Sequence, residues 1–240
     1  MKAIPMTFTS EMVNALLSGR KTVTRRPIKS AAKNMQANGV NVSSIELLAI
    51  LVTASMSGLC ATVLACGTTL RMKVSSTKRL VKKGDYIYVR ETWGAVSHAF
   101  DENNNIKAWL PDRPATPIKE LRFGKGFYSG HAIYRADGSF TWTNDCGDEI
   151  TAWHPSIHMP RKVSRLTLRV TDVRVERVQD ITEEQATQEG LPLTEEHQQP
   201  QKWFKNLWNS IYDDWDKKTF TWVIEFEVFK ENVDNILESN

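Results

Sequence analysis

"KKGDYIYVRETWG", residues Lys82 to Gly94, is the stretch that says most about the fold of this chain. Its Gly84-Asp85 dipeptide is typical of a turn. The residues that follow, Tyr86 to Glu91, alternate between two faces: positions 86, 88 and 90 share one side, and positions 87, 89 and 91 share the other. The pattern predicts a strand that begins directly after a tight turn.

Other strands are predicted on both sides of this one. "PMTFTS" (5–10) is typical of a short strand, and "HAIYRA" (131–136) predicts a short strand within a region rich in Asn, Asp, Gly and Pro. Towards the C-terminus, apolar residues alternate in "SRLTLRV" (164–170) and in "TWVIEFEVF" (221–229). In the last segment the residues that share one side are Trp222, Ile224, Phe226 and Val228.

Three helices are predicted. Ser10 is a candidate N-cap for the first, which ends at Gly19. In "DITEEQATQEGL" (180–191), Thr182 and Gln185 have the spacing of a capping box, and Gly190 stops the helix. The stretch "QKWFKNLWNSIYDDW" (201–215) has one apolar face, which we expect in the core: Phe204, Leu207, Trp208, Ile211 and Trp215.

Strands therefore outnumber helices, and few of them alternate with helices in βαβ units. This order predicts an α+β fold built on a curved or closed mixed sheet. We expect residues 1–240 to form a single domain, with insertions at about 30–80 and 97–150.

Composition restricts the function classes. The chain has 240 residues, 41% hydrophobic and 25% charged, with a net charge of +3. These values predict a globular protein with a sizeable core. The charge permits an anionic ligand without requiring one. The excess of basic over acidic residues is smaller than is usual in a repressor or a histone.

The thiols and imidazoles do not predict a metal site. Cys60, Cys66 and Cys146 are odd in number and lack metal-ligand spacing, and the five histidines show no paired spacing. We therefore expect reduced thiols in a cytoplasmic protein, without a metal or another cofactor.

One segment has the length of a membrane span. From Leu47 to Leu70 there is no charged residue, and 24 residues are enough to cross a bilayer. Threonines, serines and glycines interrupt the segment, and no aromatic residue marks either interface. We expect a buried or cap-like insertion and no membrane contact.

The basic stretch "GRKTVTRRPIK", Gly19 to Lys29, has two interpretations. It follows a predicted helix C-terminus, where the helix dipole favours cations, so it could be a solvated charge patch. It also places Lys21 three residues before Thr24, and a lysine could take the proton of a threonine hydroxyl if neighbouring cations and burial favoured its neutral form. Spacing alone does not choose between the two.

Four stretches resemble the ASCH superfamily, which has a PUA-like β-barrel fold: "LLSGRKTVTRR" (16–26), "GDYIYVRETW" (84–93), "ITEEQATQEGL" (181–191) and "WVIEFEVF" (222–229). The resemblance covers residues 1–29, 82–94 and 153–229. The order of these stretches is similar to that in phage and prophage members of the superfamily. It implies a PUA-like mixed barrel with a few flanking helices and a cytoplasmic location in a bacterial host. It does not cover residues 30–80 or 97–150.

The resemblance also implies an activity. Small bacterial members of the superfamily are N4-acetylcytidine amidohydrolases, with a lysine and a threonine in an RKTxTxR run and a glutamate in an AxQE turn. Residues 20–26 and 186–189 match these runs. The match implies that Lys21 is the base, Thr24 the nucleophile and Glu189 the acid. Glu189 would lie in the last turn of its helix, where the dipole disfavours a carboxylate and favours a bound proton.

This chain is more than twice as long as those hydrolases, which leaves alternatives open. Some PUA-like members bind or cut RNA, and a basic groove of this chain could do so; a phage regulatory protein without catalysis is a third possibility. The implied partners are a modified nucleoside or RNA, in an oligomeric state that the sequence does not predict. The candidate substrate or nucleic-acid contacts are Arg20, Arg25, Arg26, Arg90, Trp93, Arg165 and Arg169. For Trp93, packing in the core is the alternative to stacking on a base.

Overall fold

A computed structural model describes residues 1–28, 62–65, 68–71, 80–103, 105–143, 149–151, 153–192, 199–217 and 219–239. The strands are β1 Ala3–Thr7, β2 Val23–Pro27, β3 Thr62–Ala65, β4 Thr68–Arg71, β5 Tyr86–Arg90, β6 Trp93–Val96, β7 His98–Phe100, β8 Ile106–Ala108, β9 Thr116–Phe123, β10 Gly126–Tyr134, β11 Thr141–Thr143, β12 Glu149–Thr151, β13 Thr167–Arg177 and β14 Phe220–Phe229. The helices are α1 Ser10–Leu17, α2 Glu183–Gln188, α3 Pro200–Tyr212 and α4 Val233–Glu238.

Most of the regular structure is β. One sheet has the strand order β1-β5-β13-β14-β2, and smaller sheets are formed by β6-β10-β9, β3-β4, β7-β8 and β11-β12. The larger sheet is mixed, because β1 pairs parallel to β5 whereas β13 is antiparallel to β5 and β14 is antiparallel to β2. The predicted α+β class is confirmed. The pairings recorded among the described strands do not close this sheet into a barrel.

The chain divides into two compact units. The first consists of Met1–Thr22, Gly84–Thr171 and Phe226–Asn240, and the second of Val23–Lys83 and Asp172–Glu225. The expectation of a single domain stays a prediction.

The first unit contains the strand that the Gly84-Asp85 turn predicts. Gly84 has φ 84°, which a glycine adopts without strain, and β5 begins at Tyr86. The first four residues of β5 are buried, so both faces of this strand are covered rather than one. Two of them, Tyr86 and Tyr88, pack with Val233 and Ile236 of α4.

Helix α1 of the first unit begins one residue earlier than predicted. Its N-cap is Thr9, whose Oγ1 accepts a hydrogen bond from the Met12 amide at 3.4 Å, and Ser10 is the first helical residue. Both residues are good caps, and the extended backbone of Thr9 decides which of them caps. The predicted stop at Gly19 is confirmed by its φ of 74°.

The region 97–150 holds longer strands than its composition indicated. β9 has eight residues and β10 nine, and β10 contains the apolar part of the predicted "HAIYRA" strand. Together with β6 they form a sheet over a core that contains Trp93, Ile118, Leu121, Ala132, Tyr134, Met159 and Val163.

In the second unit, α3 packs through Phe204 and Trp208 against Val178, Ile181 and Ala186. The prediction that Ile211 faces the core was wrong, because its side chain is 42% exposed on the last turn of α3. Trp215 lies beyond the helix in a 3₁₀ turn and packs against this cluster.

The uncharged segment 47–70 lies largely outside the described residues. Its described part contributes β3 and most of β4, which pair antiparallel. Within the described part of the chain, no helix is both long enough and apolar enough to span a membrane.

Candidate functional site

All three predicted catalytic residues are buried. Lys21 is 0% exposed, and Thr24 and Glu189 are each 3% exposed. Arg25, next to Thr24 on β2, is also 3% exposed. Charged residues are almost never fully buried unless they are paired. The interpretation of this stretch as a solvated charge patch is therefore wrong for Lys21 and Arg25.

Local contacts of the α2 segment explain the position of Glu189 in the second unit. The predicted capping box of α2 is confirmed: Thr182 Oγ1 accepts from the Gln185 amide at 3.2 Å, and Gln185 Oε1 accepts from the Thr182 amide at 3.1 Å. Glu189 is the C-cap residue, and Gly190 follows with φ 102°. The carboxylate thus lies at the C-terminal end of the helix, as predicted.

Arg25 is the cation that faces Glu189. Its Nη1 donates to Glu189 Oε1 at 3.2 Å, and its Nη2 donates to Gln185 Oε1 at 2.9 Å and to Glu176 Oε2 at 3.0 Å. The Arg25 side chain is 0% exposed. The Arg25 guanidinium is thus buried and held by two carboxyl groups and an amide, and its predicted contact with substrate or nucleic acid stays a prediction.

Glu176 is held in turn by a second arginine. Arg174 Nε donates to Glu176 Oε1 at 2.5 Å, and Arg174 Nη1 donates to Glu225 Oε1. Burial raises the pKa of the Glu176 carboxyl, but the hydrogen bonds and charges of Arg174 and Arg25 together outweigh burial and lower that pKa below its usual value. Glu176 is therefore an anion between two guanidinium groups.

Lys21 belongs to the first unit, whereas Thr24 and Glu189 belong to the second. The Lys21 backbone amide donates to the carbonyl of Ala15 at 3.0 Å, which fixes the lysine to the end of α1. Thr24 pairs with Ile224 in the β2–β14 ladder. The convergence of the three side chains in one pocket stays a prediction.

The two other arginines of the basic stretch make local contacts. Arg20 Nε donates to Ser18 Oγ at 3.0 Å, just after α1. Arg26 Nη1 donates to the Tyr212 hydroxyl at 3.3 Å, at the end of α3. Both side chains are partly exposed, so their predicted substrate contacts stay predictions.

Arg90 and Trp93 lie in the first unit. Arg90 Nη1 donates to the carbonyl of Ile157 at 3.0 Å, and its guanidinium carbon lies 5.5 Å from the ring centroid of Tyr88. Trp93 is 0% exposed, and its ring centroid lies 5.2 Å from that of Phe123 in an edge-to-face pair. Trp93 is thus packed in the core of the first unit, which was the alternative to stacking on a base, and its predicted substrate contact stays a prediction.

Arg165 and Arg169 are both paired with carboxylates of the first unit. Arg165 donates twice to Glu91, at 2.9 Å in each contact, and once to Asp137 at 2.6 Å. Arg169 Nη2 donates to Glu227 Oε2 at 2.5 Å. These two arginines therefore contribute less unpaired positive charge than the sequence indicates, although their predicted nucleic-acid contacts stay predictions.

Sequence reasoning missed Glu176 and Gln185 as members of this site. They lie 151 and 160 residues from Arg25 along the chain, so no spacing rule connects them. The described residues contain no group of three His, Cys, Asp or Glu side chains that could hold a metal ion.

The comparisons with known proteins leave the family of the chain open. No family model matches it. No curated protein and no solved structure matches it either.

Proposed function

We propose that this protein is an amidohydrolase that removes the acyl group from a modified cytosine nucleoside or nucleotide of the N4-acetylcytidine type. Thr24 is the nucleophile, Lys21 the base and Glu189 the acid, on a PUA-like barrel of the ASCH superfamily. The observation that carries the proposal is the burial of all three side chains. The residue roles come from the resemblance of the basic stretch and of the α2 segment to that superfamily.

Burial of this set is difficult to explain by stability alone. Removing a charged group from water costs several kcal/mol, roughly, and a buried ion pair is on average no more stabilising than packed apolar residues. Lys21, Arg25 and Glu189 are nevertheless all buried. Buried ionisable groups are found preferentially at functional sites.

The proposed reaction is an acyl transfer in two steps. Lys21, in its neutral form, takes the proton of the Thr24 hydroxyl while the oxygen attacks the amide carbonyl carbon. The carbon–nitrogen bond breaks, Glu189 gives a proton to the departing exocyclic nitrogen, and an ester remains on Thr24. Water then attacks the ester: Glu189 takes a proton from the water, Lys21 returns its proton to the departing Thr24 oxygen, and the acyl group leaves as acetic acid, which restores all three side chains. Burial favours the neutral form of an amine, as the first step requires.

Release of acetate from N4-acetylcytidine tests the proposal. We expect turnover by the wild-type protein and a decrease of about three orders of magnitude or more in kcat for Thr24→Ala. Thr187→Ala is the matched control, because this threonine is exposed on α2 and its hydroxyl donates only to the local carbonyl of Glu183 at 2.9 Å. Absence of turnover by the wild-type protein would contradict the proposal, as would equal rates for Thr24→Ala and Thr187→Ala.

RNA binding through Arg165 and the arginines of β13 has less support. Arg165, Arg169 and Arg174 each donate to carboxylates, so their charge is largely compensated. Binding that depends on phosphate contacts weakens steeply with salt. A salt-sensitive complex with single-stranded RNA, together with absence of acetate release, would favour this alternative.

A further inference from the structure

We infer that Arg25 is the positioning residue for Glu189: its guanidinium holds the carboxylate in place at the end of α2, and Glu176 holds the guanidinium. This inference rests on the proposed function, in which Glu189 is the acid. Neither Arg25 nor Glu176 has a role in the reaction that the sequence motifs imply.

The first step is the geometry of Arg25. Its two terminal nitrogens point to three acceptors on two elements: Glu189 and Gln185 on the α2 segment, and Glu176 on β13. Its Nε has no hydrogen-bond partner in the part of the chain that the structure describes. The terminal nitrogens therefore connect the end of α2 to a strand, in the forked arrangement that a guanidinium allows and an ammonium does not.

The second step is rigidity around the guanidinium. Arg25 extends from β2, whose ladder with β14 fixes its backbone opposite Val223. Its guanidinium carbon lies 5.8 Å from the ring centroid of buried Phe204 on α3. Because the side chain is fully buried, the guanidinium cannot exchange these partners for water. Its position is set by packing as well as by charge.

The third step is the balance of charge. Arg25 donates to the carboxyl groups of Glu176 and Glu189, and Glu176 also receives Arg174. The negative charge of Glu176 is thus balanced by both Arg25 and Arg174. The other terminal nitrogen of Arg25 remains bound to Glu189. A change at Glu176 should therefore alter Glu189 through Arg25.

Steady-state kinetics test the catalytic part. We expect Arg25→Lys to reduce kcat for N4-acetylcytidine at least tenfold with little change in KM, because the ammonium keeps the charge but cannot bridge the three acceptors. For Arg25→Ala, added guanidinium ion should restore part of kcat, whereas methylammonium at the same concentration should not. Arg113→Lys is the matched control, since it makes the same change at an arginine that pairs with exposed Asp112.

A second measurement does not require activity. A clamped guanidinium rotates slowly, so we expect separate side-chain nitrogen signals for Arg25 in the NMR spectrum of the wild-type protein. These signals should merge in Glu189→Gln and in Glu176→Gln, because each variant keeps the shape of the acceptor side chain but removes the carboxyl group that holds the guanidinium. They should persist in the Arg113→Lys control.

The outcomes are distinguishable. Wild-type kcat in Arg25→Lys would overturn the positioning role while leaving the proposed function intact. If the wild-type protein released no acetate, the proposed function would fail, and the NMR signals would still decide whether Arg25 fixes Glu189. Unchanged signals in Glu189→Gln would overturn the inference.

Discussion

Replacement of Arg165 by methionine tests how the buried charges of the first unit contribute to stability. Glu91 is 1% exposed and receives two hydrogen bonds from Arg165, which also donates to Asp137. In Arg165→Met the hydrocarbon length remains, but the Glu91 carboxylate is left buried without its cation. Removing one partner of a buried ion pair typically costs about 3 to 5 kcal/mol. We expect a loss of that size in the free energy of unfolding at about pH 7.

The pH dependence has a definite sign. Burial raises the pKa of the Glu91 carboxyl above its ordinary value, although the hydrogen bonds and the charge of Arg165 oppose this. A carboxyl with a raised pKa binds its proton more tightly in the folded state, so stability falls as pH rises from the unfolded pKa through the folded one. Without Arg165 the pKa rises further. The loss caused by Arg165→Met should therefore become smaller at low pH, by up to about 1.4 kcal/mol for each pH unit within that window.

Thermal unfolding at about pH 7 and about pH 5 measures both effects. For a chain of this size the loss corresponds to a decrease of roughly 6 to 20 °C in Tm at the higher pH. The double variant Glu91→Leu/Arg165→Met removes both charges and should recover much of the decrease, because packed apolar residues replace a buried pair well. Arg169→Met, at an exposed pair with Glu227, should leave Tm nearly unchanged. A decrease of less than about 2 °C in Arg165→Met, or an equal decrease at both pH values, would refute the reasoning.

Three further substitutions test individual contacts by chemical denaturation. Gly130→Ala should destabilise the protein by about 1 to 3 kcal/mol, because a Cβ at this position, with φ 112°, would lie 2.3 Å from the carbonyl oxygen of Val96; unchanged stability would show that the strand shifts freely. Thr182→Ala should cost about 1 kcal/mol through loss of the capping box with Gln185, and a wild-type denaturation midpoint would contradict this. Trp93→Ala should cost about 3 to 5 kcal/mol as a core truncation, and a variant with wild-type stability would contradict the core assignment.

Much of the local structure could be predicted from sequence. The capping box of α2, the glycine stops after α1 and α2, and the strand after Gly84 were all confirmed, because each depends on residues a few positions apart. The N-cap of α1 was misplaced by one residue because Thr9 and Ser10 are both good caps. Ile211 was misassigned because helical periodicity places it on the apolar face, whereas packing of the unit leaves its side chain 42% exposed.

The candidate site could be predicted only in part. The resemblance of the basic stretch and of residues 186–189 to the ASCH superfamily implied Lys21, Thr24 and Glu189 as candidates, and all three are buried. The motif includes Arg26 and leaves Arg25 as a variable position, but it did not show which of these two adjacent arginines would be buried. Opposite side-chain directions along β2 separate them: Arg25 is buried against carboxylates, and Arg26 reaches the Tyr212 hydroxyl.

The sequence by itself determined several local boundaries, such as the capping box of α2, the glycine stops after α1 and α2 and the start of β5, since caps and turns act over a few residues. Only the tertiary structure decided which charges of the basic stretch are solvated and which are buried. Arg25 and Glu189 are 164 residues apart in the chain, and their ion pair exists because packing brings β2 and the end of α2 together. The free energy of a charge depends on its distance from water and from the opposite charge, and both distances are set by non-local contacts.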